Sequence, residues 1–209
     1  MKPHPQVLTY PSISETLLLG KCDFYIPRDL IKAERVIRYI VLSLTGSGLI
    51  AVCAQIYVPL YPIPITMQTF AVFLIGLTFG WRLGGFTIFL YLIEGALGLP
   101  VFAKGASGLA VFTGPTAGFL LGFVLVAIVC GWFAERGFDR SFAKLFVSLI
   151  VSNALLYSLG LLWLGIFIGW DKPVLELGLY PFILGDLIKI LLVVILLPLS
   201  WKFVNRLKN

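Results

Sequence analysis

Asp186 and Lys189 are the two residues of this chain whose types and spacing promise chemistry. They sit inside its last apolar stretch, with Pro181 to Leu184 before them and Ile190 to Leu199 after. An acid and a base three residues apart on a helix share a face and are close enough to pair. Each charge alone at bilayer depth costs roughly 2.5–3.5 kcal/mol on the insertion scale, so a membrane helix retains both only with a reason. Two reasons are open: a polar ligand site facing the bundle interior, or a self-neutralising pair that holds two helices together.

The elements that must position this pair are membrane helices. The chain is 59% hydrophobic and 12% charged, with a mean hydropathy of +1.00, which places it among integral membrane proteins. Long apolar runs favour helices over a barrel, whose strands would alternate polar and apolar residues. Six hydrophobic segments are expected, at 36–58, 65–80, 83–97, 117–133, 142–170 and 181–204, forming one all-α, six-helix transmembrane bundle over residues 33–209. Residues 1–32 read as a cytoplasmic N-terminal tail without a cleaved export signal. The second and third segments are short, about 24 and 22 Å as helices against a hydrocarbon core of about 30 Å. Arg82 between them favours two spans over a re-entrant pair, whose tip would bury that charge.

The net charge of +6 does not imply nucleic acid, because the charges collect at helix ends. With both termini inside, 13 of the 16 Lys and Arg residues lie on the cytoplasmic side, and Lys104 and Lys172 fall outside. The partner implied by composition is the lipid bilayer of the cytoplasmic membrane. Cys22, Cys53 and Cys130 form no CxxC, and the single histidine is His4. Neither a metal site nor histidine chemistry within the membrane is expected.

Counting up each helix at 1.5 Å per residue from its cytoplasmic charge brings polar residues to one layer. Lys189 lies about 20 Å up, Asp186 about 24 Å, Glu94 about 18 Å, Tyr157 about 20 Å and Gln55 about 25 Å, with Asn153 one turn lower. Five polar side chains from four segments converging in the outer half favour the ligand-site reading. Two outer connections fit it. The segment 59–68 is apolar and proline-stiffened, with Thr66 and Gln68 as its hydrogen-bonding groups. The segment 99–118 carries Gly105, Gly108 and Gly114 with Phe102, Phe112 and Thr116, and is apolar enough to fold down over the bundle. Ser43, Ser47 and Ala51 form a small-residue stripe on the first helix, suited to close packing against another helix, such as that of a docking partner. Catalysis is disfavoured: Gly105-Ala106-Ser107-Gly108 has no histidine to activate its serine, and no P-loop exists to bind ATP.

Four blocks carry a family resemblance: Pro62-Ile63-Pro64-Ile65-Thr66-Met67-Gln68-Thr69, Gly95-Ala96-Leu97-Gly98-Leu99-Pro100-Val101-Phe102, Phe112-Thr113-Gly114-Pro115-Thr116-Ala117-Gly118 and Gly185-Asp186-Leu187-Ile188-Lys189. In order and spacing they resemble the signature of the BioY family, the biotin-binding S-components of energy-coupling factor (ECF) transporters. The resemblance implies a six-helix bundle that captures biotin near the outer face and docks through its first helix on a transmembrane T-component driven by two ATPase subunits. It implies no cofactor beyond biotin as cargo. Asp186 would accept the ureido N–H groups, and Lys189 would donate to the ureido oxygen or to the carboxylate. Asn153, Tyr157, Thr66 and Gln68 would supply further polar contacts. An S-component or solitary carrier for another small vitamin-like solute is the alternative.

The charge asymmetry predicts that reporter fusions at Lys104 and at Asn209 report opposite sides of the membrane. Both on one side would contradict the N-in, C-in orientation.

Overall fold

The computed structural model describes residues 28–208, so the tail expected over residues 1–32 lies outside the described residues as far as residue 27, as does Asn209. The elements run α1 (Arg28–Gln55), β1 (Tyr57–Val58), β2 (Ile65–Thr66), α2 (Gln68–Ala96), 3-10 turns at Ala103–Gly105 and Leu109–Thr113, α3 (Ala117–Ala134), a 3-10 turn at Phe138–Arg140, α4 (Phe142–Ile168), α5 (Val174–Gly178) and α6 (Tyr180–Lys208). The two short strands pair antiparallel, Tyr57 with Thr66 and Val58 with Ile65, so the proline-rich outer connection is a small hairpin.

The expected number of helices is corrected. Among the described residues five helical stretches are long and apolar enough to cross a membrane, not six: Val36–Gln55, Gln68–Ala96, Ala117–Ala134, Phe142–Ile168 and Val174–Ser200. The segments expected at 65–80 and 83–97 form one helical stretch, α2, as two arms that meet at a single residue with non-helical backbone, Gly80. Gly80 has φ 79° and ψ 173°, a conformation open to glycine and strained for any residue with a Cβ. The chain therefore reverses without a loop, and Trp81 and Arg82, expected to be the turn, begin the second arm. The reversal is visible in the bond from Gln68 Nε2 to Tyr91 OH, 2.7 Å long. Along a straight helix those residues, 23 apart, would be separated by about 35 Å.

Because α2 folds back, both of its ends reach the same end of the bundle, together with Gln55, the start of α3 and the start of α6. The described ends of the chain, Arg28 and Lys208, lie at the opposite end. Close packing holds the reversal in place: a Cβ on Gly131 of α3 would fall 2.2 Å from the Trp81 backbone nitrogen. α2 is the hub, packed on α1, α3 and α6, while α3 also packs on α4. The core comprises large apolar side chains such as Phe73, Ile75, Leu77, Leu149 and Leu197. Outward faces are apolar too, for example Ile37, Ile40, Val41 and Leu44 on α1, as a lipid-facing surface requires.

Candidate binding site

At the end of the bundle where the two outer connections lie, the helices enclose a cavity of about 240 Å³. A water molecule occupies about 30 Å³ of liquid, so the space suits an organic molecule of small size. Its floor is polar. Asp186 and Lys189 of α6 are 3% and 4% exposed, and the Lys189 ammonium donates to Asp186 Oδ1 at 2.8 Å. The Tyr157 hydroxyl of α4 donates to Asp186 Oδ2. Each carboxylate oxygen has two lone pairs and the ammonium has three protons, so neither group has exhausted its hydrogen-bonding capacity. The floor can accept from N–H donors and donate to a carbonyl, side by side.

Apolar walls rise from this floor. Phe119, Leu120 and Phe123 of α3 face Leu156 of α4 and Phe182 of α6. The hairpin supplies Pro62, Ile63, Pro64 and Thr66, and α2 supplies Gln68 and Thr69 at its start. The glycine-rich connection supplies Phe102, Ala103, Lys104, Ala106, Val111 and Thr116. Both outer connections therefore line the cavity.

A hydrogen-bond chain fixes these connections. Thr66 Oγ1 donates to Gln68 Oε1 at 2.9 Å, Gln68 donates to Tyr91, and the Tyr91 hydroxyl donates to the Val101 carbonyl at 2.9 Å. One relay thus joins the hairpin, both arms of α2 and the backbone beside Phe102. Phe102 is itself wedged edge-on against Tyr91 and Phe112. Gln55 at the end of α1 donates to the Phe102 carbonyl at 3.0 Å and accepts from the Gly105 N–H at 3.2 Å. Trp163 of α4 donates to the Gly114 carbonyl at 2.9 Å.

Of the residues expected at a ligand site, Asp186, Lys189, Tyr157, Thr66, Gln68, Phe102 and Thr116 line the cavity. The others do not. Phe112 packs behind Phe102, Gly105 and Gly114 serve as backbone partners of Gln55 and Trp163, and the Gly108 N–H donates to the Gly95 carbonyl at 2.7 Å. Glu94 turns away toward α1, where it accepts from Ser47. Asn153 lies a turn below Tyr157, its amide oxygen buried without a partner. The small-residue stripe is not at an outer surface of the bundle: Ser43 and Ser47 are buried against α2, beside Thr87 and Glu94, and Ala51 is partly buried. Lys104, Phe119, Phe123, Leu156 and Phe182 were not anticipated. Phe182, Asp186 and Lys189 follow an i, i+4, i+7 stripe, as Thr116, Phe119 or Leu120, and Phe123 do, so helical periodicity carried a signal for several of them.

The family model described as the BioY family matches residues 21–206. The chain belongs to the BioY family. This BioY-family chain is 39% identical over 144 residues to the biotin transporter BioY of Thermotoga maritima, an overlap of 69% of this chain and 84% of the relative. It is 37% identical over 152 residues to biotin transporter BioY2 of Lactococcus lactis subsp. cremoris, covering 72% of this chain and 82% of that one. Its fold resembles the crystal structure of the S-component for biotin from an ECF-type ABC transporter, with TM-score 0.70 and 24% identity over 81% of this chain and 93% of the other. FolT bound with folic acid shares the fold more distantly, with TM-score 0.55 and 18% identity over 75% of this chain and 86% of the other.

Replacing Tyr91 by Phe leaves Gln68 Nε2 and the Val101 carbonyl short of a partner in a buried setting, at a cost of about 1–3 kcal/mol. The expected outcome is a lower thermal midpoint of the detergent-solubilised protein together with weaker ligand binding, since the relay pins the connections that line the cavity. An unchanged midpoint would mean that the relay contributes nothing to holding them.

Proposed function

We propose that this chain binds biotin in the cavity over Asp186 and Lys189 and mediates its uptake across the cytoplasmic membrane as the substrate-capture S-component of an ECF-type ABC transporter. It is a multi-pass membrane transport protein and not an enzyme. The observation that carries the assignment of the site is that the buried ion pair lies on one helix and lines a cavity. The one link from the pair to another helix is the bond from Tyr157 of α4 to Asp186, which a neutral acceptor would also make, so helix packing gives little reason to pay for two charges inside the membrane. A ligand that uses both charges does.

Biotin has the complementary groups. Its ureido ring carries two N–H donors beside a carbonyl acceptor, matching the adjoining acceptor of Asp186 and donor of Lys189. Its bicycle and aliphatic chain are apolar, like the walls formed by Phe119, Phe123 and Leu156. Tyr157 holds the second oxygen of Asp186 and orients the carboxylate. The cavity end faces outward in this reading, because Arg38, Arg82, Arg136, Arg140 and Lys144 all belong to the other end of the bundle. Energy comes from elsewhere, since the chain has no P-loop. A transmembrane T-component and two ATPase subunits would supply it.

Calorimetric titration of the purified protein with biotin should show saturable binding. Asp186→Asn should weaken it by about 1.5–3 kcal/mol, the range for a hydrogen bond to a charged group, or roughly tenfold to more than a hundredfold. Absence of heat with biotin, alongside binding of another small vitamin, would reassign the substrate.

A further inference from the structure

A second hollow lies where α4 gives way to α5 and α6. It is an open groove of about 470 Å³, with Leu161, Trp170, Lys172, Leu175, Glu176 and Tyr180 on its lining, and it shares no lining residue with the cavity over Asp186 and Lys189. From Lys144 to Ile168 α4 rises about 36 Å, against a hydrocarbon core of about 30 Å, so the segment after Ile168 emerges among the outer head groups. Trp170 and Tyr180, both exposed, are of the residue types that settle at that level. The groove is fixed by close packing. A Cβ on Gly165 would fall 2.6 Å from the Trp170 ring, and one on Gly178 would fall 2.6 Å from Leu164, so Trp170 and α5 are held tight against α4. Lys172 and Glu176 bring opposite charges to this groove but do not pair. Lys172 stands ahead of Pro173 and outside α5, so a spacing of four does not set the two on one helical face. Neither has another hydrogen-bond or ion-pair partner among the described residues.

We propose that this groove is a binding site for a phospholipid with a primary-amine head group, in which Lys172 donates to the phosphate and the lipid ammonium donates to the Glu176 carboxylate. Its level in the membrane says what covers it. Exposed apolar side chains deeper on the flanking helices, Ile166 of α4 and Leu184 of α6, meet lipid tails, and Leu161 and Leu175 carry an apolar surface into the groove itself. The charges select among head groups. Asp171, Lys172 and Glu176 sum to one negative charge, which disfavours an anionic lipid. A choline head group has no N–H to give a carboxylate, whereas a primary ammonium has three. Free phosphate would engage Lys172 alone and leave Glu176 and the apolar wall unused. A lipid seated here ties the outer ends of α4 and α6 together at head-group level, whatever the cavity binds.

The test is native mass spectrometry of the delipidated full-length protein in detergent, with phosphatidylethanolamine, phosphatidylcholine or phosphatidylglycerol of matched acyl chains added back. Wild type should retain phosphatidylethanolamine over each of the others by roughly two- to fivefold, the scale of an exposed ion pair. Lys172→Met and Glu176→Gln should each abolish that preference, while Lys172→Arg, which keeps a donor for phosphate, should preserve it. Both side chains are exposed, so the lipid-free thermal midpoints of all three variants should match wild type, and only the wild-type and Lys172→Arg proteins should gain in midpoint from phosphatidylethanolamine. Equal retention of the three lipids by wild type would overturn the proposal. So would Lys172→Met and Glu176→Gln proteins that keep the wild-type preference, or soluble phosphoethanolamine that binds as tightly as the lipid.

Discussion

Two opposite charges, buried to within a few per cent of full occlusion on one helix, constrain how this molecule is built. In lipid neither could persist exposed, and in a packed apolar core neither would be retained without cost. The bundle therefore closes around them and supplies Tyr157 to take the second carboxylate oxygen. Both groups line the cavity with hydrogen-bonding capacity to spare. Binding a urea-like ring at this floor would exchange partial satisfaction for fuller satisfaction, in a setting where each charge-assisted bond is stronger than in water.

The roof over that floor depends on the sharp reversal at Gly80. By returning α2 to its starting end, the reversal sets Gln68 against Tyr91, and through them links the hairpin to the backbone next to Phe102. Gln55 and Trp163 pin the same connection to α1 and α4. Segments that read as loops by composition thus behave as anchored walls. Their apolar character follows from what they face, namely Phe119, Leu120 and Phe182.

Much of this was legible in the residues. Asp186 and Lys189 stand out because charges in an apolar stretch are costly, and Tyr157 because depth counting set it at their level. Depth counting is blind to rotation about the helix axis, and there the reading went astray. Glu94 shares the layer but faces Ser47, and Gln55 shares it but serves the backbone of the connection. Ser43 and Ser47 promised close helix approach, which occurs, although against the chain's own α2. The number of helices was misjudged because the charge at Arg82 reads as a connecting turn, whereas the reversal is a backbone event at the single residue Gly80, with helix directly on either side. Lys104 read only as a charge on the outer side, because the turn that brings it to the cavity lining has a left-handed backbone that no local pattern announces.

The central claim is that Asp186 and Lys189 serve the ligand and not the fold. The double variant Asp186→Asn with Lys189→Met measures it most directly, because it removes both charges at once and leaves neither buried alone. The account predicts a double variant that folds with a near-native thermal midpoint and has lost high-affinity biotin binding. A double variant that binds biotin as the wild type does would contradict it and make the pair structural.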